Sequence, residues 1–256
     1  MDRVQQRRNQ IVQLLRSSDT CHVGDLSRAL GVSTVTIRAD LDYLEQSGCI
    51  SRSYGKAVLN TNFAFELEFR EKEKLRSEAK QLIGQAAARL VDDGQSLIID
   101  SGSTVGFVPR YVDAHKRCTL MTNALNLANE LVGDVRFQLM MTGGTLRPDS
   151  YSLCGPEAEQ AVRLHHFDML FIGADGIDLK AGVTTTNEQD AQLNRAMVQA
   201  VDQVVLLADS SKFGRRGFCV ICPLPKVHTL ITDSGIPDEY RRALMLAGVN
   251  VIVADE

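Results

Sequence analysis

The sequence lacks any run of eighteen consecutive apolar residues, which excludes an ordinary membrane-spanning helix. Its first residues are polar and Arg-rich, with no apolar segment behind them, so we expect no signal peptide and a cytoplasmic protein. At 256 residues the chain is long enough for about two domains, each with a core of ordinary size.

Cysteines are few and scattered. The six lie mostly within apolar stretches, which favours reduced core thiols over a disulfide framework: Cys21, Cys49, Cys118, Cys154, Cys219 and Cys222. The last two form a Cys-x-x-Cys pair, which has two interpretations. Structural zinc would need a second pair of ligands, and only His228 lies near; the other interpretation is a buried strand over 218–222. We expect the strand, and neither a metal nor a cofactor.

The N-terminal segment has the pattern of a helix-turn-helix. Apolar residues at helical spacing mark three short helices: Ile11, Leu14 and Leu15, then Val23, Leu26 and Leu30, then Ile37, Leu41 and Leu44. The second helix stops at Gly31, and Ser33 is placed to cap the third. With the apolar face turned inward, Thr34, Thr36 and Arg38 point outward, where hydroxyls and a guanidinium can reach phosphates and base edges.

A basic hairpin is predicted after the third helix. Gly48 would end that helix, and a strand pair around Gly55 would form a wing that carries Arg52, Tyr54 and Lys56. The alternative is an ordinary three-helix bundle with a hairpin, but the outward face lacks the Glu and Lys scatter usual for a solvated face. We therefore predict a DNA-binding surface made of Ser33, Thr34, Thr36, Arg38, Arg52, Tyr54 and Lys56.

Charge is shared unevenly along the chain. Residues 1–60 hold eight Lys or Arg against six Asp or Glu, a net of +2, whereas the remainder holds twenty against twenty-six, a net of −6. Non-specific attraction of this N-terminal part to DNA should be modest, so useful affinity needs two or more copies on one site. We expect a homo-oligomer, dimer or tetramer.

The pattern changes after residue 60. We predict a DNA-binding domain over 1–60, a hinge and the start of a linking helix over 61–75, and a larger domain over 76–256. The hinge is placed at 60–65, which has neither periodicity, and helical spacing extends from about 66 to 91. Beyond Gly94, short apolar runs alternate with helical segments and read as buried strands: 96–99, 120–122, 137–142, 169–174, 204–208, 229–232 and 249–253. This alternation predicts an α/β domain with a mostly parallel sheet.

Polar and glycine-rich segments follow the predicted strands. In parallel sheets ligands collect beyond the carboxyl ends of the strands, so these segments should share one rim. The stretch Ser101–Thr104 suits a phosphate, because it would offer backbone amides at a helix start and several hydroxyls. The alternative is a rim of caps and turns only. The candidate site residues are Asp100, Ser101, Gly102, Ser103, Thr104, Asn123, Gly143, Gly144, Arg147, Asp175, Glu188 and Lys212.

These motifs resemble those of DeoR-family transcriptional repressors. The resemblance rests on 32–41 (VSTVTIRADL), the wing at 52–57 (RSYGKA) and, further on, 100–104, 122–123, 143–144, 173–178, 182–185 and 209–213. Within the family the chain is most similar to repressors of hexitol and amino-sugar operons, such as those for glucitol, galactitol and N-acetylgalactosamine. It departs from the family pattern at Ala39, where a second arginine is usual, and at Lys56, where a second glycine is usual. One cation is lost from the helix and one is gained in the wing.

The resemblance implies a winged helix-turn-helix followed by an α/β domain similar to sugar-phosphate isomerases. It implies a repressor of carbohydrate catabolism that leaves double-stranded operator DNA when a phosphorylated sugar or sugar alcohol binds. In this interpretation Lys212 and Arg147 assist the 101–104 loop in holding the phosphate, while the hydroxyls bond Asp100, Asn123, Asp175 and Glu188. The rival hypothesis is an isomerase in which Glu188 is the base, with Asp175 and Lys212 close by; the resemblance to such enzymes covers these three residues and Asp178.

Overall fold

The computed structural model describes residues 3–17, 21–46, 50–53, 56–59 and 69–254. The chain divides into two compact units, Met1–Glu66 and Leu67–Glu256. Gly48, Tyr54, Gly55 and the hinge segment 60–65 lie outside the described residues.

The first unit is a small α/β module. Its elements are α1 (Arg3–Ser17), β1 (Cys21–His22), α2 (Val23–Leu30), α3 (Thr34–Gln46), β2 (Ile50–Ser53) and β3 (Lys56–Leu59). The three strands form an antiparallel sheet in the order β1-β3-β2, with Arg52 opposite Ala57. This is a winged helix-turn-helix, as predicted.

The apolar spacing of the three helices builds one core. The side chains of Ile11, Leu15, Leu26, Ile37 and Leu41 are at most 2% exposed. The turn between α2 and α3 depends on Gly31, whose φ of 64° places it in the left-handed region that L side chains rarely adopt. The geometry that the sequence predicted for this segment is thus confirmed.

A buried ion pair fastens α1 to α3. The Asp40 side chain on α3 is 2% exposed and accepts hydrogen bonds from Arg7 Nε at 2.5 Å and Arg8 Nε at 3.1 Å. The Arg8 guanidinium also lies 3.5 Å from the ring centroid of Tyr43. These two arginines therefore act inside the fold of the first unit.

The second unit begins with two helices and then alternates strands and helices. Up to the middle of the unit its elements are α4 (Phe69–Lys74), α5 (Ser77–Ala88), β4 (Ser96–Ile99), α6 (Val108–Tyr111), β5 (Cys118–Thr122), α7 (Leu125–Leu131), β6 (Phe137–Met141), β7 (Thr145–Arg147), β8 (Ser152–Cys154) and α8 (Pro156–Arg163). The remainder comprises β9 (Phe167–Ile172), β10 (Gly176–Asp178), β11 (Gly182–Thr185), α9 (Glu188–Gln199), β12 (Val201–Leu207), β13 (Cys219–Cys222), β14 (Thr229–Thr232), α10 (Asp238–Leu246) and β15 (Asn250–Val253).

A seven-stranded parallel sheet is the centre of this unit. Its order is β15-β14-β12-β9-β4-β5-β6, and its strands coincide with the seven predicted apolar runs to within a few residues at each end. Both faces are covered, because Ile98 belongs to one hydrophobic cluster while its neighbours Leu97 and Ile99 belong to another. The chain runs one way from β4 and the other way from β9, so the order reverses between these two strands. Ligands bind at such a point in open α/β sheets.

The two small antiparallel sheets of this unit were not predicted from the sequence, although one of their strands, β13, was. β10, β11 and β13 form a three-stranded sheet, and β7 pairs with β8. The Cys-x-x-Cys pair lies in β13, as the strand interpretation predicted. Burial raises the pKa of Cys219 to about 12 and that of Cys222 to about 11, so both thiols stay protonated at neutral pH.

The predicted helix over 66–91 is not continuous. It is interrupted between α4 and α5 at Leu75 and Arg76, and Arg76 has a φ of 53°, which is uncommon for a residue with a side chain. That backbone turn aims the Arg76 guanidinium at Ser210, whose Oγ it bonds at 2.7 Å. Among the described helices, none is both long enough and apolar enough to cross a membrane.

Candidate functional site

The outward face of α3 in the first unit is small and polar at its start. Ser33 precedes the helix and its Oγ accepts a hydrogen bond from the Thr36 backbone N–H at 3.2 Å, so it acts as the predicted cap. Thr34 and Arg38 are exposed, and Arg38 makes no hydrogen bond or ion pair with any described residue. The start of α3 therefore offers a free guanidinium beside two hydroxyl-bearing residues.

Arg52 on the wing is not free. Its guanidinium contacts Asp42 and donates to Glu45 Oε2 at 2.8 Å, and its backbone N–H donates to Glu45 Oε1 at 3.1 Å. These bonds tie β2 to α3, so contact with a phosphate would require Arg52 to give up carboxylate partners. Lys56, at the start of β3, is exposed, whereas Tyr54 lies outside the described residues.

Val35 is a surface feature that the sequence reasoning passed over. Its side chain is 71% exposed in the first turn of α3, between Thr34 and Thr36. An exposed apolar group at this position has the chemistry that contacts a thymine methyl in a major groove. The signal was available, because Val35 lies off the predicted apolar face of the helix.

In the second unit, polar groups from β4 and β5 meet at the carboxyl end of the sheet. Asp100 follows β4, Asn123 follows β5, and Asn123 Nδ2 donates to Ser101 Oγ at 3.3 Å. The Asn123 side chain is 2% exposed, and its Oδ1 atom has no hydrogen-bond partner among the described residues. A buried acceptor without a partner is costly, and a ligand hydroxyl would satisfy it.

Asp100 is a buried carboxyl that forms no ion pair with any described residue. Burial raises its pKa to about 6, and the neighbouring Asp190 carboxylate acts in the same direction. Hydrogen bonds from the backbone of Ser101 and Gly173 and from the Asn194 side chain oppose this rise without cancelling it. Asp100 therefore joins the loop after β4 to the loop after β9.

These two loops also meet through glycine. A methyl group added to Gly102 would lie 3.6 Å from the Cα of Gly173, so the two backbones pass in near contact at the point where strand order reverses. The expected helix after Ser103 and Thr104 is short, however. A 3₁₀ turn at Val105–Phe107 leads into the four-residue α6, so the loop gains little from a helix dipole and would depend on its amides and hydroxyls.

Asp175, after β9, is held by groups from two directions. Its Oδ1 accepts from Lys72 Nζ at 2.8 Å, and its Oδ2 accepts from Thr185 Oγ1 at 2.8 Å and from the Thr186 backbone at 3.2 Å. Burial alone would raise the pKa of Asp175, but the Lys72 and Lys212 ammonium groups outweigh burial and hold that pKa well below its ordinary value. Asp175 is thus an ionised carboxylate between lysines.

Two further lysines, Lys212 and Lys80, lie near Lys72. Burial lowers the pKa of Lys212, and the nearby Asp175 carboxylate opposes the change. Lys80 on α5 is only 3% exposed; its Nζ donates to the Lys72 carbonyl, and burial lowers its pKa to about 8. Cations that are already desolvated and close together form a suitable environment for a small anion.

Two predicted residues are committed to other partners. Arg147 is 4% exposed and pairs with Asp190, so its charge is largely neutralised at the edge of the Asp100 site. Glu188, the first residue of α9, is about half exposed and accepts from Arg195 at 3.0 Å. Arg147 was predicted to hold a phosphate and Glu188 to bond a sugar hydroxyl. In the structure each of them forms an ion pair with another residue of the chain instead.

The glycine pair after β6 has a structural explanation. Gly144 has a φ of 99°, and a methyl group there would lie 2.5 Å from the carbonyl oxygen of Cys154. The close pairing of β7 with β8 therefore requires Gly144 whether or not a ligand is present. Gly143, with a φ of 68°, starts the same turn.

Lys72, Arg76 and Lys80 are not among the predicted site residues, because the stretch from 66 to 91 was interpreted only as a helix that links the two domains. For Lys80 a signal existed. It falls at i−3 from Ile83 and i−7 from Ala87, which places it on the buried face of α5. A lysine on an apolar helix face requires a partner, and that requirement indicates a site.

A winged helix-turn-helix joined to an α/β unit with a lysine-rich rim is the architecture of a metabolite-sensing transcription regulator. Two family models match this chain: the DeoR-like helix-turn-helix domain over residues 7–63 and the DeoR C terminal sensor domain over residues 75–234. The chain belongs to the DeoR family of DNA-binding transcriptional repressors.

Full-length relatives support this assignment. A protein of Escherichia coli O157:H7, provisionally named an aga operon transcriptional repressor, is 41% identical over 98% of this chain and 94% of its own length. The HTH-type transcriptional regulator GlpR of Haloferax volcanii is 38% identical over 96% of each chain. Such relatives are named as regulators of transcription, not as enzymes.

Among solved structures, ribose 5-phosphate isomerase A of Methanocaldococcus jannaschii matches 54% of this chain and 54% of its own, with 16% identity and a TM-score of 0.39. A likeness this weak says nothing about function.

Proposed function

We propose that this protein represses a carbohydrate catabolic operon, for a hexitol or an amino sugar, and that a phosphorylated sugar or sugar alcohol releases it from DNA. The effector would bind the sheet rim of the second unit, and the first unit would hold the operator. In this proposal the protein is a cytoplasmic homo-oligomer and not an enzyme.

The observation that carries the proposal is a group of three lysines from three separate segments at this rim. Lys72 bonds Asp175, Lys212 lies close to the same carboxylate, and Lys80 donates to the Lys72 carbonyl. Two or more desolvated cations match a dianionic phosphate. The unpartnered Asn123 Oδ1 and the Asp100 carboxyl lie at the neighbouring strand end, where a sugar's hydroxyls would find acceptors.

For DNA, the proposal relies on the start of α3. Thr34, Thr36 and the unpaired Arg38 would face base edges and phosphates, with Lys56 on the wing as a further cation. Because the N-terminal 60 residues carry a net charge of only +2, we infer that two or more copies act together on a repeated or palindromic site.

A thermal-shift screen tests the effector. Phosphorylated hexitols, ketohexoses and amino sugars are added to the full chain, with the unphosphorylated sugars and inorganic phosphate as controls. We expect a selective rise in melting temperature with one phosphorylated class. The same compound should weaken retention of the promoter fragment in a gel-shift titration. If no phosphorylated sugar raises the melting temperature, or none alters DNA retention, the proposal is wrong.

The isomerase alternative is examined with the same samples. The protein is incubated with pentose and hexose phosphates, and product is sought by NMR. Turnover that survives in an Arg38→Ala variant but is lost in Glu188→Gln would favour an enzyme. We expect no product, since the Glu188 carboxylate faces Arg195.

A single substitution at the rim sharpens the assignment. Lys212→Ala should abolish the response to the effector, because a desolvated cation close to Asp175 is lost, and the operator should stay bound at effector concentrations that release the wild-type protein. Lys180→Ala, an exposed lysine in the β10–β11 turn, is the matched control. If Lys212→Ala responds normally, the rim has been assigned wrongly.

A further inference from the structure

The short helix α4 is the first described element after the unit boundary at Glu66, and contacts at its start, in its middle and just beyond its end hold it to the rest of the second unit. At its start, the Phe69 backbone N–H donates to the Asp149 carbonyl at 2.9 Å, and the Phe69 ring meets the Tyr151 ring edge-on at 5.7 Å. In the middle, Lys72 bonds Asp175. Each of these contacts lies within the second unit.

The end of α4 is held as well. Arg76, just beyond it, donates to Ser210 Oγ at 2.7 Å and lies 3.6 Å from an Asp233 oxygen and 3.8 Å from an Asp209 oxygen. Among the described residues, two that are not glycine have a positive φ, namely Arg76 and Tyr151. Tyr151 contacts the start of α4 and Arg76 follows its end, so the contacts at both ends offset the conformational energy of these two backbones.

The middle contact differs from the other two because its partner faces the proposed effector site. Lys72 reaches an Asp175 whose remaining oxygen is satisfied by Thr185 and Thr186, and Lys212 lies close to the same carboxylate. A ligand phosphate at this rim carries two negative charges and would compete with Asp175 for the Lys72 ammonium group. The Lys72 and Asp175 side chains are 23% and 11% exposed, so this pair is accessible from the rim.

Resting on the proposed function, we propose that Lys72 is shared between Asp175 and the anionic group of the effector, and that this exchange of partners loosens α4. Occupancy of the rim would then be transmitted to the segment that leads directly into the DNA-binding unit. Lys72 is in this sense both a ligand-binding residue and the residue that couples binding to DNA release. A ligand shifts an equilibrium only through such a differential interaction.

Hydrogen exchange in the full chain tests this. Amide exchange across Phe69–Lys74 is measured with and without the phosphorylated compound that gives the largest thermal shift, and with inorganic phosphate alone. In the wild-type chain we expect exchange in this segment to rise when the phosphorylated compound binds. In Lys72→Met we expect exchange already raised without ligand and no further rise with it, although the compound still increases the melting temperature with about tenfold weaker affinity.

Two variants control for charge and fold. Lys74→Met removes an exposed lysine from the same helix and should behave as wild type in every measurement. Lys72→Arg keeps a cation that can pair with Asp175 and should restore at least part of the ligand-dependent rise. A melting temperature is recorded for each variant without ligand, so that loss of structure is recognised.

The outcomes separate the two proposals. If ligand changes exchange in Lys72→Met by as much as in wild type, and only at higher concentration, Lys72 contributes affinity alone and the coupling inference is overturned. A fall or no change in wild-type exchange at saturating ligand overturns it too. If no phosphorylated compound stabilises the wild-type chain, the proposed function fails before exchange is measured.

Discussion

Asp40 in the first unit and Asp175 in the second are both nearly buried carboxylates that lie close to two cations. Asp40 is held by Arg7 and Arg8, whose guanidinium groups remain charged and come from a helix of the same core. Asp175 is held by Lys72, with Lys212 close by, at the open rim of a sheet. The first arrangement fixes a fold, whereas the second leaves a point charge that a ligand can compete for.

Asp100 supplies a third case, a buried carboxyl that forms no ion pair with any described residue. Burial raises its pKa to about 6, whereas two lysines hold the pKa of Asp175 below its ordinary value. The comparison teaches that burial alone does not define the role of a carboxylate. Under the proposed function, the structural pair and the ligand-binding pair differ in the type of cation, which is arginine at Asp40 and lysine at Asp175.

The largest expected effect comes from breaking the structural pair. Asp40→Asn leaves two partly buried arginines without a counter-charge and should lower the free energy of unfolding of the first unit by about 3 kcal/mol. Urea denaturation followed by circular dichroism measures it. A loss well under 1 kcal/mol, on the order expected for a surface pair, would place Asp40 in the same class as exposed ion pairs.

Removing the Arg38 guanidinium, which has no partner among the described residues, should weaken DNA binding and leave the free energy of unfolding unchanged. Arg38→Ala should weaken operator binding by roughly 1 to 3 kcal/mol if the guanidinium reads a base or a phosphate. Gel-shift titration at fixed salt measures the change, with Arg89→Ala, an exposed arginine of the second unit, as control. An unchanged titration would refute the assignment of Arg38.

The unpaired carboxyl gives a pH-dependent prediction. Because the pKa of Asp100 rises from 3.8 to about 6 on folding, the folded chain keeps a proton that the unfolded chain loses, and stability falls as pH rises through this window. A shift of this size corresponds to roughly 3 kcal/mol. Asp100→Asn cannot ionise and should be more stable than wild type by about 2 kcal/mol at about pH 8, since the amide accepts weaker hydrogen bonds from the Ser101 and Gly173 backbones, and the gain should vanish near pH 4. Urea denaturation of both proteins at the two pH values measures this difference in the free energy of unfolding. An equal gain at both would mean that ionisation is not the cause.

The smallest effect is expected at an exposed pair. Asp42→Ala removes one of the carboxylate partners of Arg52, but Asp42 is 54% exposed, so the free energy of unfolding should fall by less than about 1 kcal/mol. The same denaturation measurement applies. If Asp42→Ala lowers the free energy of unfolding as much as Asp40→Asn does, burial of the carboxylate does not determine how much an ion pair stabilises this unit.

Much of the fold could be predicted from the sequence, because apolar periodicity records which faces are buried. The seven strands of the parallel sheet and the three helices of the first unit follow from it directly. The pairing of β7 with β8 could not be predicted, since strands of three residues leave no clear pattern. The interruption of the helix at Arg76 could not be predicted either, because it depends on contacts with Ser210 and Asp233, which are distant in the sequence.

The positions of the candidate residues at the strand ends could be predicted, but their partners could not. Asp100, Asn123, Asp175 and Lys212 were expected at one rim because parallel strands bring their carboxyl ends together, and their role in binding stays a prediction. Whether a charged side chain is free or paired is decided by tertiary contacts, so the engagement of Arg147 with Asp190 could not be foreseen.

The near contact between Gly102 and Gly173 bears on how such a sensor can diversify. The backbones of these two loops approach each other without any side chain of their own at that point, so substitutions of neighbouring side chains leave this approach unaltered. Under the proposed function, preference for one sugar over another can therefore change by single substitutions around the two loops, while the backbone that receives the common phosphate keeps its geometry.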